Sequence, residues 1–179
     1  MNIKIISVFL VSIMFQNFVF AKEASVPKTG FPGCATKVLE KYPGFFTSVE
    51  AEGNDNGEFF YEFDVVIKDK SKTEKYKEIE IECNPKTQKL SDIEEEVKPN
   101  DPRFKKLVKI TNKEAETVAL ATVTGIIVDR EFAIENNVPV YEFDILNKKT
   151  KKEIEVEVDG VTGKVIEKEI EFFEVGVDS

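Results

Sequence analysis

Hydrophobic and polar residues alternate with a period of two along much of the chain. Tyr141, Phe143 and Ile145 alternate with Glu142 and Asp144, and Ile154, Val156 and Val158 alternate with Glu153, Glu155 and Glu157. Each run predicts a strand with one apolar and one acidic face. Ile126 to Ala133 opens on apolar, β-branched residues and predicts a strand before them, with Glu135 to Asn137 as the turn. Lys148 to Lys151 forms a second turn, and Asp159, Gly160, Thr162 and Gly163 lead into a last strand from Lys164 to Phe172. Upstream the period changes. Thr111 and Glu114 form a capping box, Val118, Ala119, Leu120 and Val123 give an apolar face, and Gly125 is expected to stop the helix.

The same pattern occurs earlier in the chain. YEFDVV at Tyr61–Val66 matches YEFDIL at Tyr141–Leu146 at an offset of 80. Glu78 to Glu82 matches Glu153 to Glu157 at an offset of 75, and the helical stretch Cys34 to Gly44 matches Ala115 to Gly125 at an offset of 81. The first copy therefore carries five extra residues in a connecting loop. This predicts an α+β chain of two repeated units, each one helix packed on a four-stranded antiparallel sheet whose opposite face is wet. The expected division is a leader at 1–21, a first repeat at 27–97, a linker at 98–103 containing Pro99 and Pro102, and a second repeat at 104–175.

The leader has its own chemistry. Lys4 is the only charge before Lys22, the stretch Ile5 to Phe15 is apolar, and Val19 and Ala21 are small residues at the −3 and −1 positions. This predicts a secretory signal peptide cleaved after Ala21, because the apolar run is too short to span about 30 Å of hydrocarbon. The residue directly after the cleavage point is Lys22 and not a cysteine, so lipid attachment there is not expected. The product should be periplasmic or secreted, with no stable membrane insertion after cleavage.

Composition narrows the chemistry. The 179 residues include 34 acidic against 25 basic side chains, a net charge of −9, which argues against nucleic acid as a partner. With no histidine in the chain, Ser-His-Asp and Cys-His centres and His-ligated zinc or haem are excluded. Both methionines lie in the leader, so no thioether ligand remains after cleavage. Paired carboxylates are plentiful in so acidic a chain, but nothing marks one pair for catalysis. The chain is expected not to be an enzyme and to need no cofactor.

Cys34 and Cys83 are the only cysteines. Export exposes them to an oxidising environment, and the repeat places both side chains toward one core, where Ala115 and Val158 are their apolar counterparts. A Cys34–Cys83 disulfide is predicted.

Three features are candidates for binding. Glu78, Glu80 and Glu82, with Glu153, Glu155 and Glu157, form an acidic face that could meet a basic partner surface. Adjacent members on one strand lie about 6.8 Å apart, too far for a single metal unless neighbouring strands supply oxygens, and no metal site is assigned. Glu52, Asn54, Asn56 and Gly57 resemble the start of a calcium loop, but Phe63 stands at its twelfth position and a turn between strands is expected. Phe45–Phe46, Phe59–Phe60 and Phe172–Phe173 are neighbouring pairs, so on a strand one member of each faces away from the core. Those members are either interface anchors or are buried where the copies pack together.

The second copy resembles the PepSY domain family on Gly125, Tyr141 to Ile145, and EIEVEVDGVTGKV at Glu153–Val165. The first copy keeps Pro43, Gly44, Tyr61 to Val65 and EIEIE, but has Asn84, Pro85, Thr87 and Gln88 where the family pattern has Asp and Gly. Such units are also similar to the β-lactamase-inhibitor-like fold. The resemblance implies a non-catalytic module that binds or restrains a peptidase or another envelope protein, and it transfers no catalytic residue. The motif residues Gly125, Asp159, Gly160, Thr162 and Gly163 are expected to be structural. The alternative is an acidic cation-binding or structural envelope protein.

Overall fold

The computed structural model describes residues 29–69 and 75–176; the expected signal peptide and the extra loop residues 70–74 lie outside them. In chain order the elements are α1 (Gly30–Lys41), β1 (Gly44–Asn54), β2 (Phe59–Lys68), β3 (Tyr76–Cys83), β4 (Leu90–Glu96), α2 (Pro102–Leu107), α3 (Asn112–Thr122), β5 (Ile126–Glu135), β6 (Val138–Leu146), β7 (Ile154–Asp159) and β8 (Val165–Gly176). Local chemistry explains the starts of α2 and α3. Thr111 Oγ1 accepts from the Glu114 N–H at 3.3 Å while Glu114 Oε2 accepts from the Thr111 N–H at 2.7 Å, which completes the capping box of α3. Asp101 Oδ1 accepts from the Arg103 N–H at 2.7 Å and Pro102 takes the first turn of α2. Residues 98–101 of the expected linker thus turn the chain, and Pro102 and Arg103 begin a helix.

The eight strands form one closed antiparallel barrel in sequential order, β1 through β8 and back to β1. This corrects the expectation of two repeated units, each with its own helix-covered sheet. Two pairings join the halves: β4 with β5 through Glu94↔Glu135, Glu95↔Ile134 and Glu96↔Ala133, and β1 with β8 through seven residue pairs from Ser48↔Gly176 to Asn54↔Glu169. The physical reason is the free edges that two separate four-stranded sheets would leave, each with unpaired N–H and C=O groups; closure removes them. The face expected to be wet consequently becomes the barrel interior.

The apolar layers lie outside the barrel wall. Under α1, Cys34 and Val38 pack with Phe63, Val65, Ile79, Ile81 and Cys83. Under α2 and α3, Phe104, Ala115 and Ala119 pack with Tyr141, Phe143, Ile145, Val156 and Val158. Period-two alternation does the rest, because placing these residues outward places the intervening acids inward. Among the described residues no helix is long and apolar enough to cross a membrane.

Gly125 does not end α3, which stops at Thr122 with Val123 as its cap. A Cβ at Gly125 would collide with Ile145 Cγ2 and lie 2.5 Å from the Leu146 carbonyl oxygen, so glycine is needed for close approach of β5 to β6.

Candidate functional site

Around the barrel interior, acid stands opposite acid. On the first half, Glu50 pairs with Glu62, Glu62 with Glu82, Asp64 with Glu80, and Glu80 with Glu94. On the second half, Glu131 pairs with Glu142, Asp144 with Glu155, Glu142 with Glu157, Glu155 with Glu169 and Glu157 with Glu167. The seams continue the series with Glu94↔Glu135 and Glu52↔Glu171. Like charges opposite one another repel, so this lining is costly when ionised and no isolated chain segment would favour it.

A cavity of about 280 Å³ opens inside, and twelve of its thirteen lining residues carry a carboxylate, among them Glu50, Glu62, Asp64, Glu142, Asp144 and Glu155. Glu52, Glu80, Glu82, Glu94, Glu142 and Glu169 are buried. Both oxygens of Glu52, and one each of Glu94, Glu142 and Glu169, have no hydrogen-bond partner. Burial, and then the surrounding carboxylates, hold these acids far above their ordinary range: Glu50 is pushed up to about 10 and Glu131 to about 8, and Glu62, Glu80, Glu142, Glu155 and Glu157 are well raised. The basic groups are elsewhere. Lys77 and Arg103 pair with Glu95 on the outer wall at 2.7 and 2.6 Å, Arg130 pairs with Glu116 of α3 at 3.5 Å, and Lys168 pairs with Asp55 of the β1–β2 turn.

Of the acidic face read from the sequence, Glu80, Glu82, Glu155 and Glu157 face the interior. Glu153 lines the cavity, and Glu78 accepts a hydrogen bond from Thr47 Oγ1 and lines a second cleft with Glu96, Glu131, Arg103 and Arg130. The structure adds Glu50, Glu52, Glu62, Asp64, Glu131, Glu142, Asp144, Glu167, Glu169 and Glu171 to the same surface. Their signal was present in the sequence as further acidic–apolar alternation; what it lacked was any sign that eight such strands close on one another.

Cys34 and Cys83 form the predicted disulfide, with Cα atoms 5.7 Å apart across the α1–β3 contact. At the β7–β8 turn, Asp159 Oδ1 accepts from the Val161 and Thr162 N–H groups at 2.7 and 2.9 Å, and Gly163 adopts φ 68°. Gly160 is pinned between Pro139, whose carbonyl accepts from its N–H at 2.7 Å, and Lys109, whose N–H donates to its carbonyl at 2.8 Å. These residues secure turns and take no part in the acidic interior. The calcium-loop-like segment is the β1–β2 turn, where Asn54 Oδ1 accepts from the N–H groups of Asn56 and Glu58.

A second feature lies on the outer wall. Phe31 of α1, Phe59 and Tyr61 of β2 and Phe172 of β8 form a chain of rings with centroids 5.2–6.0 Å apart. Phe31, Phe59 and Phe172 are exposed, as are Phe173 and Val175 beside them on β8. The first two phenylalanine pairs obey strand alternation, with Phe45 exposed and Phe46 packed on Phe63, and Phe59 exposed and Phe60 buried. Both Phe172 and Phe173 are exposed because the β1–β8 ladder bulges between Ala51 and Glu52, which turns two successive residues outward.

The geometry has a family context. Residues 109–169 match the PepSY family, described as peptidase propeptide and YPEB domain. The matched PepSY segment runs from Lys109, in the α2–α3 connection, to Glu169, and it takes in Gly125, the Tyr141 strand and the Asp159 turn. The first copy lies outside the match, so a tandem arrangement of PepSY units gains no support from it. PepSY domains are in general non-catalytic modules. No curated protein matches the chain. Among solved structures, a candidate lipoprotein from Clostridium difficile 630 is similar at 18% identity over 83% of this chain and 96% of its own, with a TM-score of 0.33.

Proposed function

We propose that the protein is an exported, non-catalytic module that binds a protein partner in the cell envelope, a peptidase foremost, and restrains it. The observation that carries this reading is the exposed aromatic ledge of Phe31, Phe59, Phe172 and Phe173. Large rings held by a rigid wall lose little conformational freedom on binding and supply the anchors that dominate protein interfaces. Most of the acidic side chains that could have met a basic partner are enclosed, so contact falls to the ledge. The PepSY match supports a peptidase as the first partner to test, and the leader supports a periplasmic or secreted location.

The test is capture by the purified protein from the host's periplasmic and secreted fractions, with peptidase activity assayed in the bound material. A peptidase retained stoichiometrically with reduced activity is expected, and Phe172→Ser with Phe173→Ser should weaken retention by on the order of tenfold or more. Phe45→Ser, away from the ledge, should leave it unchanged. If nothing is retained at low salt, or if the ledge variant retains the same peptidase equally well, the reading fails.

A further inference from the structure

Glu52 of β1, Glu62 of β2 and Glu155 of β7 each present a carboxylate oxygen, and the three oxygens lie within 4.8 Å of one another. Acidic clusters are common on proteins and mean little alone. What distinguishes this one is Glu52, whose side chain is fully buried with neither oxygen hydrogen-bonded. The charges acting most strongly on it come from Asp144, Glu171, Asp64 and Glu167, all of its own sign. A buried polar group left unpaired costs free energy that a native fold normally avoids, so an orphaned carboxylate aimed at two others is a site prepared for a positive ligand.

The donor set identifies that ligand. Every donor is a carboxylate oxygen, histidine is absent and both cysteines are in the disulfide, which leaves hard cations. Magnesium needs a near-ideal octahedron and keeps much of its water, whereas calcium accepts six to eight oxygens at about 2.3–2.6 Å in irregular geometry. Three carboxylates fixed on three strands of a barrel wall suit the second. The spacing objection raised by a single strand does not apply, because the oxygens come from different strands. Glu62 and Glu155 also line the 280 Å³ cavity, which leaves room for the ion's remaining water ligands. We propose that the barrel interior binds calcium, with Glu52, Glu62 and Glu155 as its carboxylate ligands.

Thermal melting and titration calorimetry of the purified protein at neutral pH and physiological ionic strength test this. About 1 mM CaCl2 should raise Tm by about 5 °C or more, with a smaller rise from the same concentration of MgCl2. Glu52→Gln should raise Tm in the absence of calcium, because a neutral amide avoids the cost of burying an acid that ionises freely in the unfolded chain, and should reduce the calcium shift by at least half. Glu155→Gln provides the same readout should the first variant fail to fold. Glu116→Gln, on the outer surface of α3, should leave the shift intact. Absence of both heat and Tm shift, an equal response to magnesium, or a calcium shift that survives Glu52→Gln and Glu155→Gln unchanged would each overturn the proposal. None of these results depends on the aromatic ledge or its partner.

Discussion

Three turns of the barrel use one device. Asn84, Asn147 and Asp159 each accept, through Oδ1, the N–H groups of the residues two and three positions on, and each carbonyl accepts from the residue four on. That last residue must take the left-handed conformation: Gln88 at φ 56°, Lys151 at 61° and Gly163 at 68°. Only the third position carries the residue suited to it, and a side chain there costs roughly 1–2 kcal/mol. Gln88→Gly is therefore expected to stabilise the protein by about 0.5–1 kcal/mol after the added freedom of the unfolded chain is subtracted, measured as a rise in the urea midpoint at unchanged slope. In the sequence, Asn84 to Gln88 reads as a degraded version of the Asp159 motif. The fold shows that amide and carboxylate oxygens do the same work there, because the turn requires an acceptor and not a charge. Gly125 shows the opposite limit: a glycine after a helix reads as its terminator, and only the lack of room for a Cβ against Ile145 and Leu146 reveals a packing role.

At the level of elements, the helices seat on the outer wall in two different ways. The α1–β3 contact is cross-linked through Cys34 and Cys83, whereas α3 meets β7 through Ala115 and Val158, both fully buried. Closing a loop of about 50 residues is worth roughly 4 kcal/mol in the chain-entropy model. Cys34→Ala with Cys83→Val, which copies the second contact, should keep the fold and lower Tm by roughly 10 °C, as should reduction of the disulfide in the unaltered protein. An unchanged Tm would mean that packing alone seats α1. Strand positions were legible because alternation over six to ten residues is a strong local signal. Helix ends were less so. α1 begins at Gly30 rather than near Cys34, since Gly30 donates its N–H to the Pro85 carbonyl at 2.9 Å, a tertiary contact with no trace in the local pattern.

For the whole molecule, the acidic interior sets the response to pH. Glu94 is pushed up to about 7, Glu131 to about 8, Glu82 to about 9 and Glu50 to about 10, in each case chiefly by burial. The groups facing them from every strand are also acids, including Glu62, Asp64, Glu80, Glu142, Asp144, Glu155, Glu157, Glu167 and Glu169. In the unfolded chain these groups ionise near 4.5. Between that pH and the folded values the native state holds more protons than the unfolded state, so stability must fall as pH rises. Below that range the sign reverses, because Asp101, hydrogen-bonded by Arg103, and Glu114, hydrogen-bonded by Thr111, are held below their ordinary values and lose those contacts when protonated. Maximum stability is expected near pH 4.5, with a continuous decline to about pH 10 in denaturant titrations without divalent cations. A flat profile from pH 5 to 9 would show that the carboxylates are not enclosed.

The sequence by itself determined the strands, the capped helix α3, the disulfide and the absence of imidazole chemistry. The strands, the cap and the missing imidazole follow from residue identity or from spacing within one element, and the disulfide from a repeat that turns the two cysteines toward one core. It also determined that the strands have an acidic face. Whether that face meets water, a partner or its own copies was settled only by the pairing of β4 with β5 and of β1 with β8, contacts between residues up to about 130 positions apart. Period-two alternation specifies which residues share a side of a sheet but says nothing about curvature or closure, which arise from strand twist, the β1–β8 bulge and the demand of every edge N–H and C=O for a partner. Tertiary structure alone therefore turned an apparently solvated acidic surface into an enclosed set of oxygen ligands.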